Sequence, residues 1–218
     1  MCAPLALIAG VWAAGVFVHT TVHGFSWTQA VTALFLAINI LVCAWEMILY
    51  FYADEVVAEY TRSVAVEKQT TFRQIGRIFS ARQGHAGLSP RYWAKVWAYY
   101  ARLDRSYIDR SSFGFIADTG NGFSTLVPSI FTLVMMTWQV VPAQWLGIVI
   151  LASHYQMAYG AVAYFFAYIL NRRGRGHRRA ILFVLVGLSN SIWIVLPAWS
   201  MVAAVQMILS GTYSAAGL

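Results

Sequence analysis

Five stretches of apolar residues, each long enough to cross a lipid bilayer, dominate the sequence. They cover about residues 3–22, 29–52, 113–137, 142–170 and 180–209. A transmembrane helix needs roughly 20 mainly apolar residues to span the hydrocarbon core. The composition agrees, because 60% of the 218 residues are hydrophobic and only 11% are charged. The pattern predicts an all-α fold: one integral-membrane domain, residues 1–218, built as a polytopic bundle of about five transmembrane helices.

The basic residues lie in only two places. One is the polar segment between Arg62 and Arg110, and the other is the cluster from Arg172 to Arg179. With five spans both places fall on one side of the membrane, which is the cytoplasmic side by the positive-inside rule. The sequence therefore predicts a cytoplasmic loop over 54–112, in the cell membrane of a bacterium or the endoplasmic reticulum of a eukaryote. This placement argues against nucleic acid as a partner for the net charge of +7, and it indicates contact with anionic lipid instead.

The cytoplasmic loop contains one segment with helical periodicity, LSPRYWAKVWAYYARLDRSYI (88–108). Ser89 is placed to act as the N-cap, and Pro90 takes the first helical position. Large apolar side chains then recur every three or four residues, as on one face of a helix. They are Trp93, Val96, Trp97, Tyr100, Leu103 and Tyr107. We expect an amphipathic cytoplasmic helix that lies either on the membrane surface or as a lid over a membrane cavity, with 67–87 as the connection before it.

No sequence motif indicates a metal or an organic cofactor. The chain has no HExxH, GxSxG or CxxC pattern, and its five histidines lack metal-ligand spacing. His19 and His23 are four residues apart in the first span, but no third ligand accompanies them. Cys2 and Cys43 are far apart in the chain, so no disulfide framework is indicated. We therefore expect a protein that uses neither a metal nor a cofactor.

Ionisable side chains inside the spans constrain the function most. At the centre of a span such a group costs at least ~2.5 kcal/mol on insertion scales, and it usually faces an interior cavity. The spans contain Glu46, Asp118 and His154. The neutral candidates beside them are Asn121, Gln156, Tyr159, Asn190 and Trp193. His154 is interpreted as a packing or hydrogen-bonded histidine nearer the outer half of the bundle.

Depth along the helices predicts which of these groups meet. At a rise of 1.5 Å per residue, Glu46 lies roughly 9 Å from the cytoplasmic end of its span, and Asp118 lies about 8 Å from the start of the next. Tyr159 and Asn190 are each about 15 Å deep by the same rise. These groups should therefore converge on one layer in the cytoplasmic half of the bundle.

Two carboxyl groups in one water-poor pocket suit acid–base chemistry. Desolvation and like charge both disfavour double ionisation, so either Glu46 or Asp118 would stay protonated at neutral pH and could donate its proton. The π-face of Trp193 could stabilise a cation formed nearby. The structural alternative is that both acids pair with Asn, Tyr or Arg groups and only fix the packing of the helices. The residues by themselves leave that choice open.

Four motifs share their pattern with one known family of membrane proteins. The longest is VWAYYARLDRSYIDRSSFGFIADT (96–119), and the second is NSIWIVLP (190–197). Two shorter ones are YGAVAYF (159–165) and EMILYFYADE (46–55). They resemble the emopamil-binding protein family, the sterol Δ8–Δ7 isomerases with an EXPERA domain. The resemblance covers roughly residues 40–200 and is consistent with five spans.

The resemblance implies roles for several residues. Glu46 and Asp118 would be the acid and the base, Asn190 a polar partner, and Trp193 the aromatic group that stabilises a carbocation. Further motif positions expected at the substrate are Tyr107, Tyr159 and Asn121. In that family the enzyme protonates a sterol alkene and then removes a different proton. The implied ligand is a sterol or another hydrophobic isoprenoid, held within the lipid bilayer.

Departures from the family pattern leave two other functions open. Val42 stands where the family has a histidine, one turn before the glutamate, and Asn121 stands where it has a threonine. The stretch AWEMILY (44–50) also resembles the Trp-Glu motif of membrane-bound meroterpenoid and indole-terpenoid cyclases. Trp45 and Glu46 would then belong to a terpene cyclase that acts on an epoxidised or alkenyl prenyl chain. Relatives that bind sterols or amphiphilic amines without catalysis provide the third alternative, and a homodimer is compatible with each.

Overall fold

The computed structural model describes residues 3–66, 76, 78 and 89–218. These residues form helices joined by turns and contain no strand, so the all-α class is confirmed for them. In chain order the helices are α1 (Ala3–His23), α2 (Trp27–Phe51), α3 (Ala53–Val66), α4 (Pro90–Tyr100), α5 (Phe113–Trp138), α6 (Ala143–Leu170) and α7 (Arg179–Ser210). Short 3₁₀ helices cover Arg105–Ile108 and Ser214–Ala216, and α7 contains a π-helical stretch at Phe183–Leu188. The connection predicted at 67–87 lies outside the described residues except for Gly76 and Ile78.

Four of these helices, α1, α2, α6 and α7, are long and apolar enough to cross a membrane. They coincide with four of the predicted spans and indicate a membrane protein. The remaining predicted span, 113–137, coincides with α5, which has 26 residues but is not among the four. Its many small and polar residues make it less apolar than the others.

Helix α5 turns its polar side inward and its apolar side outward. Its buried residues include Thr119, Gly122, Thr125, Ser129 and Thr132. Its exposed residues include Ile116, Phe123, Val127, Ile130 and Val134. A soluble bundle has the opposite arrangement, because water favours polar groups at the surface. The arrangement in α5 suits a helix whose outer side faces lipid.

Small and polar residues make the contact between α2 and α5. Thr32, Asn39 and Glu46 are buried on α2 at seven-residue intervals, close to two helical turns, so they share one side of the helix. The Asn39 amide donates to the Ser129 hydroxyl of α5 at 3.0 Å, and its oxygen accepts from the Trp193 indole of α7 at 2.8 Å. These bonds satisfy polar groups that lipid cannot satisfy. One polar row therefore joins three helices.

The two ends of the bundle differ in charge. The described Lys and Arg residues belong to α3, to α4 and the turns after it, and to the loop between α6 and α7 with the first residue of α7. At the opposite end the C-terminal segment closes the bundle. There the Tyr213 hydroxyl donates to the Val141 carbonyl at 2.7 Å, and the Ser26 hydroxyl donates to the Gly217 carbonyl. The basic residues that the structure describes thus gather at one end of the bundle.

Helix α4 is shorter than its sequence indicates. It begins at Pro90, as the N-cap pattern predicts, but it ends at Tyr100 instead of continuing to residue 108. Asp104 accounts for the difference, because its carboxylate accepts from the Ser106 backbone N–H at 2.9 Å and begins the 3₁₀ helix Arg105–Ile108. Asp side chains compete with helical hydrogen bonding in this way.

The apolar face of α4 packs on protein and covers one end of the bundle. Trp97 donates its indole N–H to the Trp45 carbonyl of α2 at 2.7 Å. Trp93 stacks on the Trp45 ring, with the centroids 5.5 Å apart. Both α4 tryptophans are buried. The apolar face that the sequence predicts for this segment is therefore covered by the protein itself.

Gly147 and Gly160 of α6 allow a matched test of packing against α7. A Cβ at Gly147 would lie 2.8 Å from the Ala204 carbonyl oxygen and 2.9 Å from Ile208, whereas one at Gly160 would meet nothing within 4 Å. We expect Gly147→Ala to lower the free energy of unfolding by about 1–3 kcal/mol, because overpacking forces the two backbones apart. Gly160→Ala should be neutral or slightly stabilising, since alanine restricts the unfolded chain. Thermal unfolding in detergent measures both, and equal midpoints would contradict this packing.

Candidate functional site

A cavity of about 530 Å³ lies in the half of the bundle that carries the basic residues. Helices α2, α4, α5, α6 and α7 contribute to its lining, and its volume is typical of sites for small organic ligands. All eight site residues proposed from the sequence line it: Glu46, Asp118, Asn190, Trp193, Tyr159, Asn121, Trp45 and Tyr107. The structure thus places these residues around one space, while their roles remain proposals.

Glu46 reaches the cavity from α2 and is held by an amide of α5. It is buried, with 4% of its surface exposed. The Asn121 amide donates to both carboxyl oxygens, at 2.9 and 3.2 Å, and its own oxygen accepts from the Thr125 hydroxyl at 3.3 Å. The close approach requires a glycine at Gly122, because a Cβ there would lie 2.8 Å from the Glu46 Cβ. Asn121 therefore fixes the orientation of a buried carboxyl group.

Asp118 lies one helical turn before Asn121 on α5. It is half-buried and lines the cavity together with Tyr107, whose hydroxyl interacts with its carboxyl group. Its charge acts on the Glu46 carboxyl. The two carboxyl groups have different neighbours, a hydrogen-bonded amide for Glu46 and a phenol beside Asp118, so they are chemically inequivalent. Such a pair can hold a proton on one member and a charge on the other.

Three tyrosines, Tyr100, Tyr107 and Tyr164, line the cavity and pack against each other. The centroids of Tyr100 and Tyr107 are 5.3 Å apart, and those of Tyr107 and Tyr164 are 6.4 Å apart. The Asn190 amide donates to the Tyr100 hydroxyl at 3.0 Å. Burial raises the pKa of the Tyr100 and Tyr107 hydroxyls, and the negative charge of Asp118 raises it further. Both hydroxyls therefore stay protonated at physiological pH and can donate hydrogen bonds.

An ion pair that sequence reasoning missed supports these tyrosines. The Asp104 carboxylate is fully buried and lies 3.3 Å from the Arg173 guanidinium. It also accepts from the Tyr164 hydroxyl at 2.9 Å. The pair ties the turn after α4 to the loop after α6, across 69 residues of sequence. The available signals were that Asp104 is the single acidic residue of the segment 88–108 and that it lies within the motif 96–119.

Two tryptophans add aromatic surface to the lining. The Trp193 indole N–H donates to Asn39 at 2.8 Å, and its ring is part of the cavity wall. Trp45 lines the cavity while its ring stacks on Trp93. Aromatic faces attract positive charge through their π-electrons, most strongly where water is excluded. The cavity therefore combines two acidic groups with walls that can stabilise a cation.

The cavity opens on the flank of the bundle, between α5 and α6. Its lining residues there include Ile116 and Tyr159, with 56% and 63% of their surface exposed. The Gln156 amide donates to the Ser124 hydroxyl and joins the two helices beside the opening. Tyr159 thus lines the same cavity as the acids but lies at its exposed edge. A flank opening would admit a ligand from lipid.

The histidines of the spans lie away from this cavity. His154 is fully buried, bonds to Ser153 at 3.2 Å and packs against Phe35, which is the environment of a packing histidine. The rings of His19 and His23 are 5.2 Å apart on α1. Within residues 3–66, 76, 78 and 89–218, no group of three or more His, Cys, Asp or Glu side chains is arranged to hold a metal ion.

Comparison of the chain with protein-family models, with curated proteins and with solved structures finds no match to any of them. The fold and the site define the class of the protein coarsely: it is all-helical in the described residues, with four helices suited to crossing a membrane and a cavity lined by two carboxyl groups. The motif resemblance is therefore the basis for a proposal about function and does not establish a family.

The Asp104–Arg173 pair can be tested against an exposed aspartate that makes the same kind of turn. Asp104→Asn keeps an acceptor for the Ser106 N–H but leaves the Arg173 charge without its partner. We expect a loss of about 3 kcal/mol in the free energy of unfolding, at the low end for a broken buried pair because Arg173 keeps some exposure. Asp109 accepts from the Ser111 backbone N–H at 2.9 Å and is exposed, so Asp109→Asn should change the unfolding midpoint little. Similar unfolding midpoints for the two variants would show that the buried ion pair does not stabilise the fold.

Proposed function

We propose that this chain is a membrane enzyme that protonates a hydrophobic isoprenoid or sterol within the bilayer and steers the carbocation to an isomerised product. The observation that carries the proposal is the pair Glu46 and Asp118 in one aromatic-walled cavity. The motif resemblance to the sterol Δ8–Δ7 isomerases supports it, since their chemistry needs an acid, a base and an aromatic surface. The mouth on the flank of the bundle suits a substrate that stays in the membrane.

We further propose that five helices cross the membrane, with the basic loops on the cytoplasmic side and α4 as a cytoplasmic lid. Helix α5 would be the fifth, because it packs between α2 and α6 and has an apolar outer side. The turns at the far end of the bundle, 24–26 and 139–142, contain no Lys or Arg. This asymmetry follows the positive-inside rule. The cavity would then lie in the cytoplasmic half of the bilayer.

Two carboxyl groups in opposite protonation states can shift a double bond. The protonated one gives its proton to one alkene carbon, which leaves a carbocation and a carboxylate. The other carboxylate removes a proton from a carbon beside the cation, which forms the new double bond and a carboxylic acid. Glu46 and Asp118 take these roles in either order, and a proton transfer between them resets the pair. Asn121 holds Glu46 in position, and Tyr107 lies beside Asp118 in the lining.

The remaining lining residues bind the substrate and stabilise the cation in this proposal. Trp193 and Tyr107 offer π-faces to a positive charge that develops in a site of low polarity. Asn190, held against Tyr100, supplies a polar contact. Trp45 extends the aromatic wall, while Tyr159 meets the substrate at the mouth. These groups contact different parts of one hydrophobic molecule.

A terpene cyclase is the second candidate, and the side-by-side placement of Trp45 and Glu46 in the lining favours it. Its first step is the same, a proton delivered to an epoxide oxygen or a terminal alkene. The cation is then attacked by an internal alkene, and the second carboxylate removes the final proton. The shape of the cavity around the prenyl chain determines the fate of the cation, so isomerase and cyclase share the acid pair.

A sterol- or amphiphile-binding protein without catalysis is the alternative of another class. Val42 lines the cavity one turn before Glu46, at the position where the isomerase family has histidine. An isopropyl side chain there cannot relay a proton. In this alternative Glu46 and Asp118 would bind a ligand amine or hydroxyl and no product would form.

The acid pair is tested by isosteric variants with matched controls. Glu46→Gln and Asp118→Asn should each lower turnover by about 10²-fold or more, because each removes a group that transfers a proton in the reaction. Asp54→Asn at an exposed position and Glu55→Gln at a partly exposed one make the same chemical changes outside the cavity and should keep wild-type rates. The assay feeds membranes a Δ8 sterol and an epoxidised linear prenyl chain in D₂O and identifies deuterated products by mass spectrometry.

The products separate the three functions. A deuterated Δ7 sterol supports the isomerase, and a deuterated cyclic terpenoid supports the cyclase. If neither forms while Glu46→Gln and Asp118→Asn weaken sterol binding, the chain is a binding protein. Full turnover in both variants would exclude the acid pair as the catalytic groups.

Cation stabilisation by Trp193 gives a separate prediction. Trp193→Phe keeps an aromatic face, whereas Trp193→Leu removes it, and both lose the bond to Asn39. We expect the leucine variant to turn over roughly 30-fold more slowly than the phenylalanine variant, which corresponds to about 2 kcal/mol for a desolvated cation–π contact. Trp199→Leu, at an exposed position of the same helix, controls for helix stability. Equal rates for the two Trp193 variants would remove this residue from the mechanism.

A further inference from the structure

A second cavity, about 630 Å³ in volume, lies at the basic end of the bundle. Its wall combines three parts of the chain: α3, the turn after α4, and the loop between α6 and α7. Six arginines line it, namely Arg102, Arg105, Arg172, Arg173, Arg175 and Arg178. His177 is also part of the lining, and none of the lining residues that the structure describes is Asp or Glu. The cavity is therefore strongly cationic.

Membrane topology alone does not account for this arrangement. The positive-inside rule places basic residues on one side of the membrane, but it does not require them to face one space. Here arginines from two loops that are about 70 residues apart surround a single cavity. Arg172 also adopts φ = 50°, a left-handed conformation that non-glycine residues rarely take. The convergence is thus an additional property of the tertiary structure.

Acidic side chains in the described part of the chain neutralise little of this charge. Four ion pairs occur among those residues, and they join Glu59 to Arg62, Glu55 to Arg91, Asp54 to Arg110 and Asp104 to Arg173. Arg105, Arg172, Arg175 and Arg178 take part in none of the four. Like charges gathered in a concave site attract anions from their surroundings.

We propose that this cavity binds a phosphate group, and that the phosphate belongs to the headgroup of an anionic phospholipid. Guanidinium groups match phosphate oxygens in a bidentate fork, which explains arginine in place of lysine at all six positions. The cavity lies where α6 ends at Leu170 and α7 begins at Arg179, which is the depth of lipid headgroups. Val64 and Ile181 add apolar surface for the glycerol and the first acyl carbons.

Binding is measured on the purified full chain in a neutral detergent. The probes are dihexanoyl phosphatidylglycerol, dihexanoyl phosphatidylcholine and inorganic diphosphate, each followed by isothermal titration and by the thermal unfolding midpoint. We expect phosphatidylglycerol to bind and to raise the midpoint, and phosphatidylcholine to do neither. Salt should weaken the binding, because the contact is mainly electrostatic.

A triple variant locates the site. Replacing Arg172, Arg175 and Arg178 by Gln should weaken phosphatidylglycerol binding at least 10-fold. The control replaces Arg62, Arg91 and Arg110 by Gln, which removes the same charge from arginines outside the cavity and should leave the affinity within 2-fold. Replacing Arg172, Arg175 and Arg178 by Lys keeps the charge but removes the bidentate guanidinium groups. This variant should have an intermediate affinity.

Each outcome bears on the proposal. Binding of phosphatidylglycerol but not of diphosphate supports the lipid source, whereas tighter binding of diphosphate supports the phosphate site and assigns a soluble ligand to it. Equal losses of affinity in the two Gln variants would mean that the overall positive charge of the basic end attracts the lipid. That result would overturn the proposed site. Absence of binding by both anions to the wild-type chain would overturn it as well.

Discussion

The close contact between α2 and α5 at Gly122 is the constraint on which the candidate site depends. A side chain at this position would collide with the Glu46 Cβ at 2.8 Å and with the Cys43 carbonyl oxygen at 3.0 Å. Because there is none, the Asn121 amide reaches both oxygens of the Glu46 carboxyl. The same helix then carries Asp118 into the cavity one turn earlier. The distance between two backbones thus determines which groups surround the acid.

Polar side chains hold the bundle together from within, and apolar side chains cover it from outside. Asn39 joins α2, α5 and α7 through Ser129 and Trp193. In an apolar environment an unsatisfied amide or carboxyl is costly, so partners on other helices stabilise buried groups such as Asn39 and Glu46. These requirements specify neighbours more strictly than apolar packing does. They also leave the acids and tyrosines of the cavity in fixed orientations.

The Asp104–Arg173 pair stands between the two cavities. Arg173 lines the cationic cavity, while Tyr164, which donates to Asp104, lines the cavity with the two acids. The pair therefore separates a space suited to a phosphate anion from one suited to a developing cation. Opposite electrostatic environments can lie this close because a buried ion pair and neutral tyrosines stand between them.

Part of this site could be predicted from the sequence, because a helix converts residue number into depth. The rise per residue alone predicts that Glu46, Asp118 and Asn190 lie in the same half of the bundle. The end of α4 at Tyr100 was not predicted, since a run of apolar spacing does not show that Asp104 caps a new turn. The position of Tyr159 at the mouth was not predicted either, because depth says nothing about which way a residue faces.

By itself the sequence determined the helical class, the approximate bounds of the long apolar helices, the confinement of basic residues to two segments and the presence of two acids within apolar spans. Apolar length, charge placement and helical periodicity are local properties that neighbouring residues encode. Only the tertiary structure decided the rotation of each helix about its axis and the order of helices around the bundle. Those depend on contacts between distant residues, such as Asn121 with Glu46 and Arg173 with Asp104. For that reason the acid pair was visible in the sequence, and the arginine-lined cavity was not.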